Sequence, residues 1–578
     1  MTSHASCRPY GVPGRVHYYL TWGLWDTREM AEFGEVGAIV AEYQAKGGQP
    51  GLVYGIVRDG SLVHAAGLGE RSLGGAVPDA DTVFRIASMS KSFTAAAILL
   101  LRDEGRLALD DLASRYVPEM AGWEFGPSIR NLLTMTAGFP TDDPWGDRQQ
   151  GLPLDEFGAF LAEGVSFVRA PGIEFEYSNL GYAILGRIIS TVSGLPYKDF
   201  IGERLMLPLG MNRSGYEAAS VTSAEGLALG YRRGPAGWEE VPIEPYGAFA
   251  PMGGVFTTIS DLARWVAGFL DCRDGDGHPL SAASRREMQL PQVPTLWDRP
   301  AAFPDDGHVT CYGFGLSIDD DPVLGRVIGH GGGYPGFGSY MRWHPATGTG
   351  VIAFGNSTYA RMQSLTARLL GTIVRERPAI APWPATVAAR DAVTSLLGSW
   401  DDAAADRLFT PNVAWDSPYA ERRAALDRIK ARIGDFADDK AYQPQFPTPA
   451  RCRWRLTGEH GTVQVQIMLT PERSPRVQWV LLAVPPAAGS ALASALDAVV
   501  GWMNGEGACP VADGMSARRL RAAAVWAGQC RVAAYTAGDG EVATTADLAG
   551  EHATVSLSVT VDPGTGQVSQ VSVSWEPS

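Results

Sequence analysis

Ser88 and Lys91 stand three residues apart in the run Arg85-Ile86-Ala87-Ser88-Met89-Ser90-Lys91-Ser92-Phe93. On a helix, residues three apart share a face, so a hydroxyl and an ammonium can meet there. A helix N-terminus at the serine would add unpaired N–H groups and a positive dipole end, both of which favour an anionic oxygen. A serine hydroxyl is a weak nucleophile until a neighbouring base takes its proton. The bland alternative is an N-cap serine followed by a surface lysine. Lysine, however, is scarce here: there are five, at positions 46, 91, 198, 430 and 440, among 48 basic residues. One of them falling at this spacing carries more weight than it would in a lysine-rich chain.

Two further segments carry candidate groups. Tyr177-Ser178-Asn179 precedes an apolar helical pattern, and by itself reads as a loop aromatic with an N-cap. His330-Gly331-Gly332-Gly333 follows a strand pattern and precedes a turn at Pro335-Gly336. Consecutive glycines let backbone approach a ligand or another chain segment closely. Gly331, Gly333 and Gly336 formally fit a dinucleotide fingerprint. Pro335 lies inside that loop and a strand pattern follows it, so the helix needed to hold a pyrophosphate is missing.

In chain order, S-x-x-K, Y-x-N and H-x-G resemble the motifs of the penicillin-recognising serine hydrolases: class C β-lactamases, DD-peptidases, D-aminopeptidases and related esterases. The resemblance extends to Thr82-Val83-Phe84-Arg85-Ile86-Ala87 before the serine. It includes Leu132-Leu133-Thr134-Met135-Thr136-Ala137-Gly138, with Met135 where the family usually has His. Gly253-Gly254-Val255-Phe256 ahead of Ser260-Asp261-Leu262, and Tyr312-Gly313-Phe314-Gly315, also fit. It covers about residues 30 to 375.

The resemblance implies an α+β fold of the β-lactamase/transpeptidase type, an antiparallel sheet with helices plus an all-helical lobe, with Ser88 in the cleft between them. It implies that Ser88 is the acylated nucleophile, that Lys91 and Tyr177 share general-base work, and that Asn179 orients Lys91 and the substrate amide. His330 takes the place of the lysine of K-T-G. The N–H groups of Ser88 and Gly333 would form the oxyanion hole, with Gly332 in the same substrate-binding strand. No cofactor and no metal is implied. The activity implied is that of a serine hydrolase acting through a Ser88 acyl-enzyme on amide or peptide substrates, as D-aminopeptidases and DD-peptidases do. An esterase or acyltransferase, peptide cyclisation included, would use the same intermediate, and an inactive binding or regulatory homologue is the third reading. Chemically, a base working near pH 7 needs Lys or Tyr depressed by about three units from about 10. Two such groups side by side would titrate as a pair.

The elements that must position these residues are partly visible. A helical pattern runs from about Arg28 to Ala45. GLVYGIV and SLVHAAGL, joined by Asp59-Gly60, read as a hairpin with a tight primed turn. A helix is expected from Ser88 to Glu104, ending near Gly105. Residues 1–28 read as an aromatic-rich lead-in and 29–375 as the catalytic domain. Residues 376–390, with Pro378, Pro382 and Pro384, read as a stiff linker. Two modules follow, 391–485 and 486–578. They share a short repeat: Gly458-Glu459-His460-Gly461-Thr462-Val463 matches Gly550-Glu551-His552-Ala553-Thr554-Val555 at an offset of 92, with Cys452-Arg453 and Cys530-Arg531 ahead of the two copies at a shorter offset, which reads as an insertion in one copy. Each reads as an α+β or β-barrel module.

The 578 residues carry 48 Lys and Arg against 63 Asp and Glu, a net charge of −15, with 45% hydrophobic and 19% charged residues. That excludes global disorder and argues against a general nucleic-acid binder, since phosphate binding wants a basic field. No apolar run approaches the roughly 18 residues of a membrane span. The first twenty residues lack a basic region followed by an apolar core, and the six cysteines are scattered without a C-x-x-C. These features lead to the expectation of a cytoplasmic chain with a small-molecule or peptide substrate, no membrane partner, and a homodimer as one assembly that the terminal modules could mediate. No G-x-S-x-G occurs. Asp274-Gly275-Asp276-Gly277 lacks the spacing of a calcium loop. Asp319-Asp320-Asp321 reads as a solvated hairpin turn, and His344, His460 and His552 have no metal-ligand spacing.

Overall fold

A computed structural model describes residues 17–18, 27–273, 275–295, 309–321, 323–375, 380–511, 514–551 and 554–574. The lead-in expected over residues 1–28 lies mostly outside the described residues, as do Asp274, His552 and residues 376–379 of the expected linker. The chain divides near residue 378 into two compact units.

The first unit begins with helix α1 (Thr27–Ala45), then strands β1 (Gly51–Arg58) and β2 (Ser61–Gly69). Asp59 and Gly60 both take positive φ, 49° and 76°, which is the primed turn expected of Asp-Gly in a two-residue hairpin. Helix α2 (Ser90–Asp103), α3 (Asn179–Ser193) and α4 (Ile259–Leu270) follow. The chain then returns to the sheet as β3 (Val309–Tyr312), β4 (Ser317–Asp321), β5 (Gly325–Tyr334), β6 (Phe337–His344) and β7 (Thr349–Gly355), closing with α5 (Met362–Val374). The sheet runs β2-β1-β7-β6-β5-β4-β3, antiparallel throughout, with His17–Tyr18 paired outside β2 and Val293–Pro294 outside β3.

Both faces of the sheet are covered, and β1 shows how. Leu52, Tyr54 and Ile56 pack with Val36 and Val40 of α1 and Leu365 and Leu369 of α5. Val53 and Val57 point the other way, into the core shared with α2 and α4. This two-residue alternation is the strand period. It also explains why GLVYGIV is apolar almost without a break. Asp319 and Asp320 lie in β4 and not in a turn, because Ser317–Asp321 pairs with Gly325–Gly329; only Asp321 caps the turn, accepting the Val323 and Leu324 N–H groups.

Helix α2 is the centre of the unit. Every residue from Ser90 to Leu101 is buried. Its polar residues are satisfied in place: Thr94 Oγ1 donates to Pro251 O at 2.7 Å, Ser92 Oγ to Met89 O at 2.8 Å, and Ser90 Oγ accepts the Val255 N–H at 3.0 Å. Phe93 stacks on Trp265 of α4 with ring centroids 4.2 Å apart, which ties α2 to the helix that packs on the sheet. On its other side α2 packs against α3 within a lobe of helices.

The second unit holds two modules. Helix α6 (Pro384–Gly398) starts inside the span expected to be a linker: Pro384 sits in the first helical turn, where a missing N–H costs nothing. Helices then give way to β8 (Arg451–Thr457), β9 (Thr462–Leu469) and β10 (Val477–Ala483). The second module repeats the order with α7 (Ala491–Met503), α8 (Gly514–Ala527), β11 (Arg531–Ala537), β12 (Ala543–Ala549), β13 (Thr554–Val561) and β14 (Val568–Ser574). Both sheets are open and antiparallel, which selects the α+β alternative over a barrel. β8 and β9 coincide with β12 and β13 at the offset of 92. Cys452 lies in β8, however, and Cys530 just before β11, so the two Cys-Arg pairs occupy different strands of the repeat and do not correspond.

Removing the Phe93 ring leaves a cavity at the α2–α4 contact. Phe93→Ala is expected to lower stability by about 3–5 kcal/mol, read from chemical denaturation of the whole chain.

Candidate active site

Ser88 sits in a single 3-10 turn, Ala87–Met89, that runs directly into α2. The residue before it, Ala87, has φ 47°, a left-handed conformation uncommon for a residue with a Cβ. This kink separates the Phe84–Arg85 strand from the turn that carries Ser88. Ser88 is 7% exposed and Lys91 wholly buried.

Two groups converge on the Ser88 hydroxyl: Lys91 Nζ donates to Oγ at 2.9 Å, and the Tyr177 hydroxyl donates to it at 3.0 Å. Lys91 also donates to Asn179 Oδ1 at 2.7 Å and to Met252 O at 3.0 Å, which uses all three of its N–H bonds. Its ammonium lies 4.9 Å from the centroid of the Tyr177 ring. Asn179 is the first residue of α3, and its Nδ2 donates to Asp143 Oδ1 at 2.9 Å, so its amide orientation follows from the partners on each side.

Asp143 belongs to a turn, Asp142–Asp147, that sequence reasoning passed over. Asp142 caps α3 from outside. It accepts the Asn179 N–H at 2.6 Å, the Leu180 N–H at 2.8 Å and the Ser178 hydroxyl at 3.1 Å. Ser178 is the N-cap proper. Asp147, almost fully buried, accepts the Tyr359 hydroxyl at 2.8 Å. The only signal in the sequence is three Asp residues within six, a pattern shared with any solvated turn. Met135, in the place of the family's usual His, has φ 60°, and its sulfur accepts the Ser178 N–H at 3.3 Å, so the thioether here serves to seat the Tyr177-Ser178-Asn179 segment.

The electrostatics divide the work. Burial pushes Lys91 down from 10.5 to about 8, and Asp143, Asp147 and Asp142 hold it from falling further. The Tyr177 phenol is driven well above its ordinary value by burial and by the same carboxylates. These directions favour a lysine that can lose its proton near pH 8 and a tyrosine that keeps its own. Burial raises Asp147 to about 6.

His330 is brought to the site on β5, but both its ring nitrogens are engaged. Nδ1 lies 2.6 Å from Gly331 O, which can only accept, so Nε2 accepts the Tyr312 hydroxyl at 3.0 Å. Burial and Lys91 push its pKa down to about 3. Both effects favour the neutral ring. Gly332 faces the nucleophile segment: a Cβ there would lie 2.1 Å from Ile86 O and 2.4 Å from Ser339 Oγ, so the strand can press against the serine's turn only with glycine. Pairing of β5 with β4 ends at Ser317↔Gly329, while β5 and β6 stay paired to the Tyr334↔Phe337 turn. That turn pair must be hydrogen-bonded, and bonding alternates along the ladder, so the N–H groups of Gly331 and Gly333 point to the side that β4 has left. Gly333 thus offers a backbone donor there, and Gly332 supplies close approach.

The family model described as Beta-lactamase matches residues 36–372. The chain is 31% identical over 278 residues to penicillin-binding protein 4* of Bacillus subtilis (strain 168), a match spanning 45% of this chain and 58% of that protein. It is 27% identical over 353 residues to protein flp of Staphylococcus aureus (strain MW2), spanning 59% and 67%. Among solved structures, an octameric penicillin-binding protein homologue from Pyrococcus abyssi aligns with a TM-score of 0.53 at 20% identity, covering 94% of this chain and 98% of that one. A class C β-lactamase aligns with a TM-score of 0.50 at 21% identity, covering 61% and 98%. At these identities the two structures speak to the fold. They agree with the sheet-and-helices architecture of the first unit. No helix among the described residues is long and apolar enough to cross a membrane.

With five lysines in the chain, NMR of lysine labelled at Cε gives a sparse spectrum, and one resonance is expected to titrate near pH 8 and to vanish in Lys91→Arg. Asp142→Ala removes the outer cap of α3 and is expected to cost about 1–2 kcal/mol in chemical denaturation.

Proposed function

Because the chain belongs to the Beta-lactamase family of serine hydrolases, we propose that it works through an acyl-enzyme formed on Ser88. The observation that carries this reading is the convergence of Lys91 Nζ and the Tyr177 hydroxyl on one buried serine oxygen. Neutral Lys91 takes the proton as Ser88 Oγ attacks the substrate carbonyl. The new oxyanion is held by the N–H groups of Ser88 and Gly333, and losing one such donor typically costs about 2.7–4 kcal/mol of transition-state stabilisation. As the tetrahedral intermediate collapses, the bond to the leaving group breaks. The proton then passes to that group from the Lys91–Tyr177 pair, since Tyr177 keeps its own proton and can hand it on while recovering one from Lys91. Deacylation repeats the sequence with water, or another nucleophile, in place of the leaving group. Asn179 holds Lys91 in register throughout.

The substrate we propose is a small amide or peptide, as for D-aminopeptidases and DD-peptidases. The name of the Bacillus relative supports an amide-bearing ligand, and the acidic turn beside Lys91 suits a substrate carrying an ammonium more than one carrying a carboxylate. Ester hydrolysis and transfer to an amine use the same acyl-enzyme.

Intact-protein mass spectrometry after treatment with a fluorophosphonate is expected to show one adduct on the wild type and none on Ser88→Ala. The rate of adduct formation is expected to rise with pH and to level off above about 8, because Lys91 must first lose its proton. A panel of D- and L-aminoacyl anilides and simple esters then separates the chemistries. Fast ester turnover with both anilides untouched would replace the peptidase reading by the esterase one.

A further inference from the structure

The Tyr177-Ser178-Asn179 segment and the glycine strand both approach the turn that carries Ser88, and one side chain ties them together. Tyr359 follows β7, in the run Asn356-Ser357-Thr358-Tyr359. Its backbone has φ 53°, and its neighbours hold it there. Asn356 Nδ2 donates to Glu70 O at 3.0 Å, Ser357 Oγ to Gly48 O at 2.8 Å and Thr358 Oγ1 to Tyr231 O at 3.1 Å, while Tyr359 N donates to Tyr334 O at 3.3 Å. A strained backbone persists where surrounding bonds over-determine it. The ring so placed lies against Gly333, where a Cβ would be 2.7 Å from Tyr359 Cδ1. The residue is still 48% exposed, and its hydroxyl reaches Asp147, which is 2% exposed.

We propose that Tyr359, acting with Asp147, is a positioning residue for acyl transfer, locking the strand that carries the Gly333 donor to the turn that holds Asn179. This rests on the Ser88 acyl-enzyme reading. The hydrogen-bonded path runs from Ser88 through Lys91 and Asn179 to Asp143. It continues along the Asp143–Asp147 turn, where Asp147 N donates to Asp143 O at 3.1 Å, and then to the Tyr359 hydroxyl, whose ring rests on Gly333. Nucleophile, base and oxyanion donor therefore share one closed frame, and Tyr359 is the member that crosses between its two halves. Sub-ångström shifts of a donor are costly in such a site.

The pair also acts on charge. Lys91 is faced by Asp142, Asp143 and Asp147 from the turn, by Tyr177 and Asn179 ahead of and within α3, by the Tyr182 ring, and by His330 from β5. Asp147 is faced by Asp143, Tyr359, Arg85 and Lys91. The Asp147 carboxylate favours the protonated form of Lys91, so removing its charge lowers the proton affinity of Lys91 and moves the acid limb of the rate profile to lower pH.

The test uses the full chain with Tyr359→Phe, which keeps the ring and loses the bond, and Asp147→Asn, which keeps the shape and loses the charge. For p-nitrophenyl acetate, Tyr359→Phe is expected to lower kcat about 10-fold with KM changed less than about twofold. Asp147→Asn is expected to shift the acid limb of kcat/KM down by about one pH unit. Both variants should melt close to the wild type and take up one fluorophosphonate. An unmoved acid limb in Asp147→Asn, together with unchanged kcat in Tyr359→Phe, would overturn the positioning role while leaving the acyl-enzyme intact. Failure of the wild type to be labelled at Ser88 would overturn both.

Discussion

A lysine with no solvent contact and no carboxylate in direct reach is the constraint around which the first unit is arranged. Lys91 spends its three donors on a hydroxyl, an amide oxygen and a backbone carbonyl, all neutral acceptors. An isolated ammonium in such a place would be costly enough to lose its proton. Three Asp residues one shell further out soften that cost without quenching it, which leaves the proton loosely held. The same carboxylates work against a charged Tyr177. In the mechanism proposed for Ser88, one arrangement therefore makes a base of the lysine and keeps the tyrosine a donor. Move the acidic turn closer and Lys91 becomes a spectator cation; remove it and the helix carrying Asn179 loses its cap.

Much of this is legible in the sequence. Helical spacing brought Ser88 and Lys91 together, and local propensity placed the Asp59-Gly60 hairpin and the end of α2, because those features depend on neighbours in the chain. The groups that meet Ser88 from far away, Tyr177, Asn179 and the glycine strand, were reached only through resemblance to a family, since Y-x-N has no local meaning. What stayed hidden was long-range and ordinary in composition. Asp142, Asp143 and Asp147 look like any polar turn until α3 and Lys91 are packed against them. Tyr359 looks like any surface tyrosine until Gly333 is beneath its ring. His330, expected in place of the K-T-G lysine, has partners the sequence does not announce: both its ring nitrogens are committed, to Tyr312 and to Gly331 O.

The second unit shows a different limit. A six-residue match was enough to find the repeat, since β8 and β9 recur as β12 and β13 at the same offset. The Cys-Arg pairs misled because they are shared letters on non-equivalent strands. The proline-rich stretch misled because Pro384 starts a helix, and prolines mark helix beginnings as readily as stiff linkers.

The left-handed Ala87 has an evolutionary consequence. Its backbone angle costs an alanine about 1 kcal/mol relative to glycine. Glycine there would pay back about as much by enlarging the freedom of the unfolded chain. The two nearly cancel, and the balance falls to the methyl group itself, which is packed in the core of the first unit at 1% exposure and whose removal would forfeit about 0.8 kcal/mol. The same methyl narrows the conformations open to the turn beneath Ser88. Selection for a stable fold and selection for turnover therefore favour alanine over glycine together.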